Sequence, residues 1–190
     1  MKIVCIGDSL TYGFGVSLNK SWYTKLKGHY NSFDVVNKGI NGDTTAGMLS
    51  RFNKDVLNLK PDLCIVMAGT NDFLLGRTVH SVVDNISIMI EDCVHNNISP
   101  VILVQPLIVE DLAKTYWSPY INYISTNDSL ASYRKLILEL CIEKSITSID
   151  IQSLFVTLTK DNSKDYFIDG VHPTELGHKV IFEKIVDYFS

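Results

Sequence analysis

Five apolar segments of strand length recur along the chain, and this recurrence constrains the fold more than any other feature. They occupy residues 2–6, 33–37, 63–68, 101–105 and 147–151. Each is a nearly continuous apolar run rather than an alternating one, which suits strands covered on both faces. Between them lie stretches with helical spacing. Val79, Val82, Val83, Ile86, Ile90, Cys93 and Val94 fall at i, i+3, i+4 and i+7 and make one apolar helix face. Leu49, Phe52, Val56 and Leu59 do the same, as do Leu130, Tyr133, Ile137, Leu140 and Cys141. The last segment places Ile181, Ile185, Tyr188 and Phe189 on one side. Strands alternating with helices predict βαβ units, a parallel sheet and an α/β fold. In such a sheet the functional site lies outside the carboxyl ends of the strands.

The 190 residues suffice for a single domain, 1–190, with a substantial core. A formal net charge of −4, with no basic run, argues against nucleic acid as a partner. No stretch approaches the ~18 unbroken apolar residues of a membrane span. Only Lys2 precedes a first apolar run that is short and closed by Gly7-Asp8, which is not a leader pattern. A cytoplasmic location is therefore expected. Cys5, Cys64, Cys93 and Cys141 are widely spaced within apolar segments and contain no C-x-x-C pair. They read as buried thiols rather than disulfides or metal ligands.

The residues that follow the strands carry the chemistry. Gly7-Asp8-Ser9-Leu10 follows the first, Gly42-Asp43-Thr44-Thr45 the second and Gly69-Thr70-Asn71-Asp72 the third. Asp169-Gly170-Val171-His172-Pro173 lies downstream of the fifth. Together they supply a hydroxyl, glycine amides, a side-chain amide, an acid and an imidazole, which are the components of acyl transfer. A serine needs a base before it is a useful nucleophile, and His172 can be that base. Asp169, three residues earlier, can fix the tautomer of the imidazole and steady the imidazolium. The Ser9 N–H, the Gly42 N–H and the Asn71 amide are candidate donors to an oxyanion. Each block has a plainer reading when taken alone: Ser9 as a helix cap, Asn71 as a turn residue, Asp72 as a cap or salt-bridge partner. The combination favours catalysis.

These four ordered blocks resemble the GDSL, or SGNH, hydrolase family of esterases and lipases. Ser9 in GDSL, Gly42 in INGDTT, Asn71 in GTND, and His172 with Asp169 in DGVHP match its motifs in chain order. The resemblance implies a three-layer α/β/α, flavodoxin-like fold with a five-stranded parallel sheet. It also implies a Ser9–His172–Asp169 triad, an oxyanion hole of Ser9, Gly42 and Asn71, a structural role for Asp8, and no cofactor. Lys38 stands where many members carry a small residue. The substrate implied is a small ester, acyl or acetyl.

A different class of function shares the fold: a non-catalytic phosphate or FMN site, with Ser9, Thr11 and Tyr12 cradling the phosphate. Phosphate binding does not require Asn71 or the Asp169–His172 pair. A metal site at Asp169, His172 and His178 lacks further ligands nearby, and His178 reads as a packing or surface residue. For the substrate pocket the expected wall is Leu10, Phe73, Val171, Tyr116 and Trp117. The aromatic segment 106–127 is longer than a usual connection and reads either as a pocket wall or as an extra packed helix.

Overall fold

The computed structural model describes residues 1–189. Five parallel strands, β1 (Lys2–Gly7), β2 (Asp34–Gly39), β3 (Leu63–Met67), β4 (Ser99–Val104) and β5 (Thr147–Asp150), form one sheet in the order β2-β1-β3-β4-β5. Ile3 pairs in register with Val35 on one side and Leu63 on the other. All five expected strands are present, their ends shifted by a residue or two. The strand order reverses between β1 and β3, and a crevice opens outside their carboxyl ends.

Nine helices accompany the sheet among the described residues: α1 (Ser9–Tyr12), α2 (Trp22–His29), α3 (Thr45–Asp55), α4 (Thr70–Leu74), α5 (Val79–His95), α6 (Glu110–Tyr116), α7 (Tyr123–Glu143), α8 (Ile151–Tyr166) and α9 (Glu175–Phe189). The two-residue period of the strands sorts their side chains between two cores. Val4, Ile6, Cys64 and Val66 face Met48 and Phe52 of α3, Ile86 and Met89 of α5, and Tyr133 and Ile137 of α7. Ile3, Cys5, Ile65 and Met67 face Trp22 and Leu26 of α2, Phe155 of α8, and Ile181 and Ile185 of α9. The result is the three-layer α/β/α arrangement. The four cysteines are buried and unpaired.

Two features sharpen the sequence reading. The sixteen-residue α8 stands between β5 and the Asp169–His172 block. Segment 106–127 holds the short α6 and the first turn of α7. It is both a packed helix and, through Tyr116 and Trp117, a wall. Asn127 clamps its base: its Oδ1 accepts from the Ile108 N–H at 2.9 Å and its Nδ2 donates to the Ile108 carbonyl at 2.9 Å.

Candidate active site

Strand β1 delivers Ser9 to the crevice. Asp8 caps α1, its Oδ1 accepting from the Leu10 N–H at 2.9 Å. Gly13, in the left-handed region at φ 89°, closes the turn. The Gly13 and Phe14 amides both donate back to the Ser9 carbonyl, at 3.0 and 3.1 Å. Ser9 therefore sits at the first residue of a short, tightly closed turn, 8% exposed.

His172 reaches it from the loop between α8 and α9. Its Nε2 lies 3.0 Å from Ser9 Oγ and its Nδ1 lies 2.7 Å from Asp169 Oδ2. With Nδ1–H donating to the carboxylate, Nε2 is left as an acceptor facing the hydroxyl. Asp169 Oδ1 also accepts from the Val171 and His172 amides, at 3.0 and 2.8 Å. Burial pushes the Asp169 carboxyl up, but these hydrogen bonds and the imidazole outweigh it and hold it below the usual carboxylate range.

Gly42 and Asn71 line the same cleft as Ser9 and His172. Gly42 has φ 76°, and a Cβ built there would meet no protein atom within 4 Å. Its backbone conformation, not protein crowding, calls for glycine. Among the described residues neither the Ser9 nor the Gly42 N–H donates a backbone hydrogen bond. Asn71 Nδ2 donates to the Asp43 carbonyl at 2.9 Å and lies 3.3 Å from Asp8 Oδ2. The two bonds engage both amide hydrogens, the shorter one fixing the amide and the longer one to Asp8 being the weaker. Burial pushes the Asp8 carboxyl up to about 7, against the Leu10 hydrogen bond and the His172 charge.

Behind these donors lies a charge network not anticipated from the sequence. Arg51 of α3 donates from Nε to Asp43 Oδ2 at 2.8 Å, from one terminal nitrogen to Asp55 Oδ2 at 2.9 Å, and from the other to the Gly7 carbonyl at 3.2 Å. Lys38 adds a 3.1 Å contact to Asp55 Oδ1. The departure at Lys38 thus has a partner outside the cleft. Asp72 receives the Thr45 N–H and hydroxyl at 2.9 and 2.8 Å, tying α4 to the start of α3. His178 is fully buried, its Nδ1 accepting from the Trp22 N–H at 3.4 Å, and burial pushes its imidazole down to about 4.

The cleft has a volume of about 280 Å³ and is lined by Ser9, Phe14, Asn41, Gly42, Asn71, Tyr116, Trp117, Asp169 and His172. Three side chains expected on its wall are elsewhere. Leu10 lies in the α2/α9 core, and Phe73 and Val171 lie in the opposite core. Each stands within two positions of a site residue in sequence, and the helical turn or loop there directs its side chain inward. Phe73 instead meets Tyr133, ring centroids 5.7 Å apart. Leu75 is exposed but is not a cleft residue. Two cleft residues went unread, Phe14 and Asn41. The glycines bracketing Phe14, in Gly13-Phe14-Gly15, were the available signal. A larger hollow of about 610 Å³ lies at the β5 edge beside α8 and α9, without a nucleophile–base pair.

A family model for the GDSL-like lipase/acylhydrolases matches residues 5–180. The chain is 30% identical over 119 residues to an arylesterase of Vibrio mimicus, covering 60% of this chain and 59% of that protein. It is 25% identical over 207 residues to an acetylxylan esterase of Geobacillus stearothermophilus, covering 95% and 90%. A member of the lipolytic G-D-S-L family from Veillonella parvula has the same fold, with a TM-score of 0.83 and 22% identity over 100% of this chain and 98% of that one. With the family model spanning nearly the whole length, the chain belongs to the GDSL-like lipase/acylhydrolase family.

Proposed function

We propose that this carboxylic ester hydrolase works through a Ser9–His172–Asp169 triad with an oxyanion hole of Ser9, Gly42 and Asn71. The observation that carries the reading is the unbroken relay of 3.0 Å from Ser9 Oγ to His172 Nε2 and 2.7 Å from His172 Nδ1 to Asp169 Oδ2. Ser9 Oγ attacks the ester carbonyl carbon while its proton passes to Nε2. The negative charge that collects on the carbonyl oxygen meets the Ser9 and Gly42 amides and the Asn71 amide, whose longer hydrogen bond to Asp8 gives way to the oxyanion. Collapse breaks the carbon–oxygen bond to the alcohol, which takes the proton from Nε2. Water then gives its proton to the same nitrogen and attacks the acyl carbon, releasing the acid and restoring Ser9. Every proton is carried by His172, and the balance closes without a cofactor. A cleft of about 280 Å³ has room for a short acyl ester.

Family membership and the engagement of Ser9 Oγ with an imidazole both favour ester hydrolysis over phosphate binding at this turn. Ser9→Ala is expected to abolish hydrolysis of p-nitrophenyl acetate with the circular dichroism spectrum unchanged. Wild-type turnover in that variant contradicts the reading.

A further inference from the structure

The proton taken from Ser9 has one destination in the first half of the reaction, the oxygen of the departing alcohol. That oxygen must therefore come within hydrogen-bond reach of His172 Nε2. What flanks the imidazole decides which alcohols fit. The Phe14 ring lies 4.5 Å from it, centroid to centroid, tilted by 46°, and the Trp117 ring lies 5.5 Å away, tilted by 36°. Both rings line the cleft. They also keep 45% and 41% of their surface exposed, so neither is spent on covering the histidine.

We propose that Phe14 and Trp117 form the subsite for the alcohol, and that the preferred alcohol is ring-shaped, presenting a flat face to these two side chains. The inference rests on His172 acting as the base for Ser9. An aryl ring offers a π face and edge, and a sugar ring offers a face of C–H groups. Either packs on half-exposed aromatic rings better than a flexible chain does, because less conformational freedom is lost on binding.

The two rings are built into the machinery that performs the step. Phe14 is held through its amide to the carbonyl of Ser9, at 3.1 Å, and so is fixed relative to the nucleophile. Trp117 follows the last turn of α6, its amide donating to the Ala113 carbonyl at 3.0 Å. Helix α6 in turn rests on the histidine's own loop, where the Val109 N–H donates to the Gly170 carbonyl at 2.8 Å. Gly170 has φ 89°, and a Cβ there would stand 2.4 Å from the Val109 oxygen and 2.6 Å from the Ala113 nitrogen. That seat admits only glycine. One ring is thus tethered to the nucleophile and the other to the base, so the space between them is set where the alcohol leaves.

The test compares acetates of four alcohols, phenol, methyl xyloside, ethanol and butanol, on the wild type, Phe14→Leu, Trp117→Leu and Trp117→Phe. Changing only the alcohol keeps the acyl group constant, and referring each variant to the wild type removes differences in intrinsic reactivity. The Leu variants are expected to lose about tenfold more kcat/KM on the ring acetates than on ethyl and butyl acetate, mainly through KM. Trp117→Phe is expected to recover most of that difference. A loss confined to phenyl acetate identifies an aryl alcohol, and one confined to the xyloside identifies a sugar. Equal losses on all four acetates overturn the proposal and reduce the rings to supports for His172. Fluorophosphonate labelling of wild-type Ser9 is scored separately. Its absence removes the triad itself, whereas labelling with equal losses removes only the subsite.

Discussion

The contacts around His172 make its orientation, not its presence alone, the quantity that Asp169 controls. An Asn at position 169 keeps the side-chain volume but turns one acceptor into a donor facing Nδ1. The imidazole then has no reason to present a bare Nε2 to Ser9. Asp169→Asn is expected to lower kcat by about three to four orders of magnitude, measured with p-nitrophenyl acetate, with KM little changed. A loss under tenfold contradicts the assigned tautomer. Asp8 carries a second prediction. Burial raises its carboxyl to about 7, so between about pH 4 and 7 the native state keeps a proton that the unfolded chain has released. The contribution is complete at low pH and is lost as pH rises through 7. The stability of the wild type minus that of Asp8→Asn, from urea midpoints, is therefore expected to fall from pH 5 to pH 8. A pH-independent difference contradicts it. That Ser9, Gly42, Asn71, Asp169 and His172 gather in one cleft was legible in the sequence because their residue types and order are chemically specific. Phe14 was not, since the glycines on either side signal a turn but not where the ring points. Only the left-handed Gly13 brings its ring onto His172.

At the scale of elements, Arg51 connects three segments with one guanidinium. It reaches the Gly7 carbonyl at the end of β1, the Asp43 carboxylate beside Gly42, and Asp55 on its own helix. The Asp43 carbonyl in turn fixes the amide of Asn71. All three proposed oxyanion donors are thereby referred to one side chain, which touches no substrate and acts by positioning. Arg51→Met is expected to cost about 2 kcal/mol of stability and to lower kcat more than it raises KM. Arg51→Lys is expected to recover little, because a single ammonium cannot span three acceptors in fixed directions. Unchanged kcat in folded Arg51→Met contradicts the positioning role. Such a network is invisible in sequence because its partners are distant along the chain. The same limit explains the misplaced pocket wall. Leu10, Phe73 and Val171 are neighbours of site residues in sequence, yet short helical turns and loops send adjacent side chains in different directions. Tyr116 and Trp117 were legible as aromatics in an overlong connection, but the docking of α6 on Gly170 was not.

For the whole molecule, the apolar runs specified more than strand count. Their continuous character called for a sheet covered on both faces, and the two cores on either side of β1 and β3 meet that requirement. The strand order was not readable residue by residue, because parallel neighbours are chosen by the crossovers. Once β2 and β3 flank β1, the crevice between β1 and β3 is where loops from distant parts of the chain converge. Residues 9 and 172 then meet at 3.0 Å. Among the described residues no helix is long and apolar enough to cross a membrane, and the ester-cleaving family accounts for nearly the whole length. The central claim is that this fold exists to set one hydroxyl against one imidazole. It is tested most directly by treating the protein with a fluorophosphonate and mapping the adduct by peptide mass spectrometry. The account predicts one adduct per chain, on Ser9, formed far more slowly in His172→Ala. An adduct on another residue, or labelling of Ser9 at the wild-type rate without His172, contradicts it.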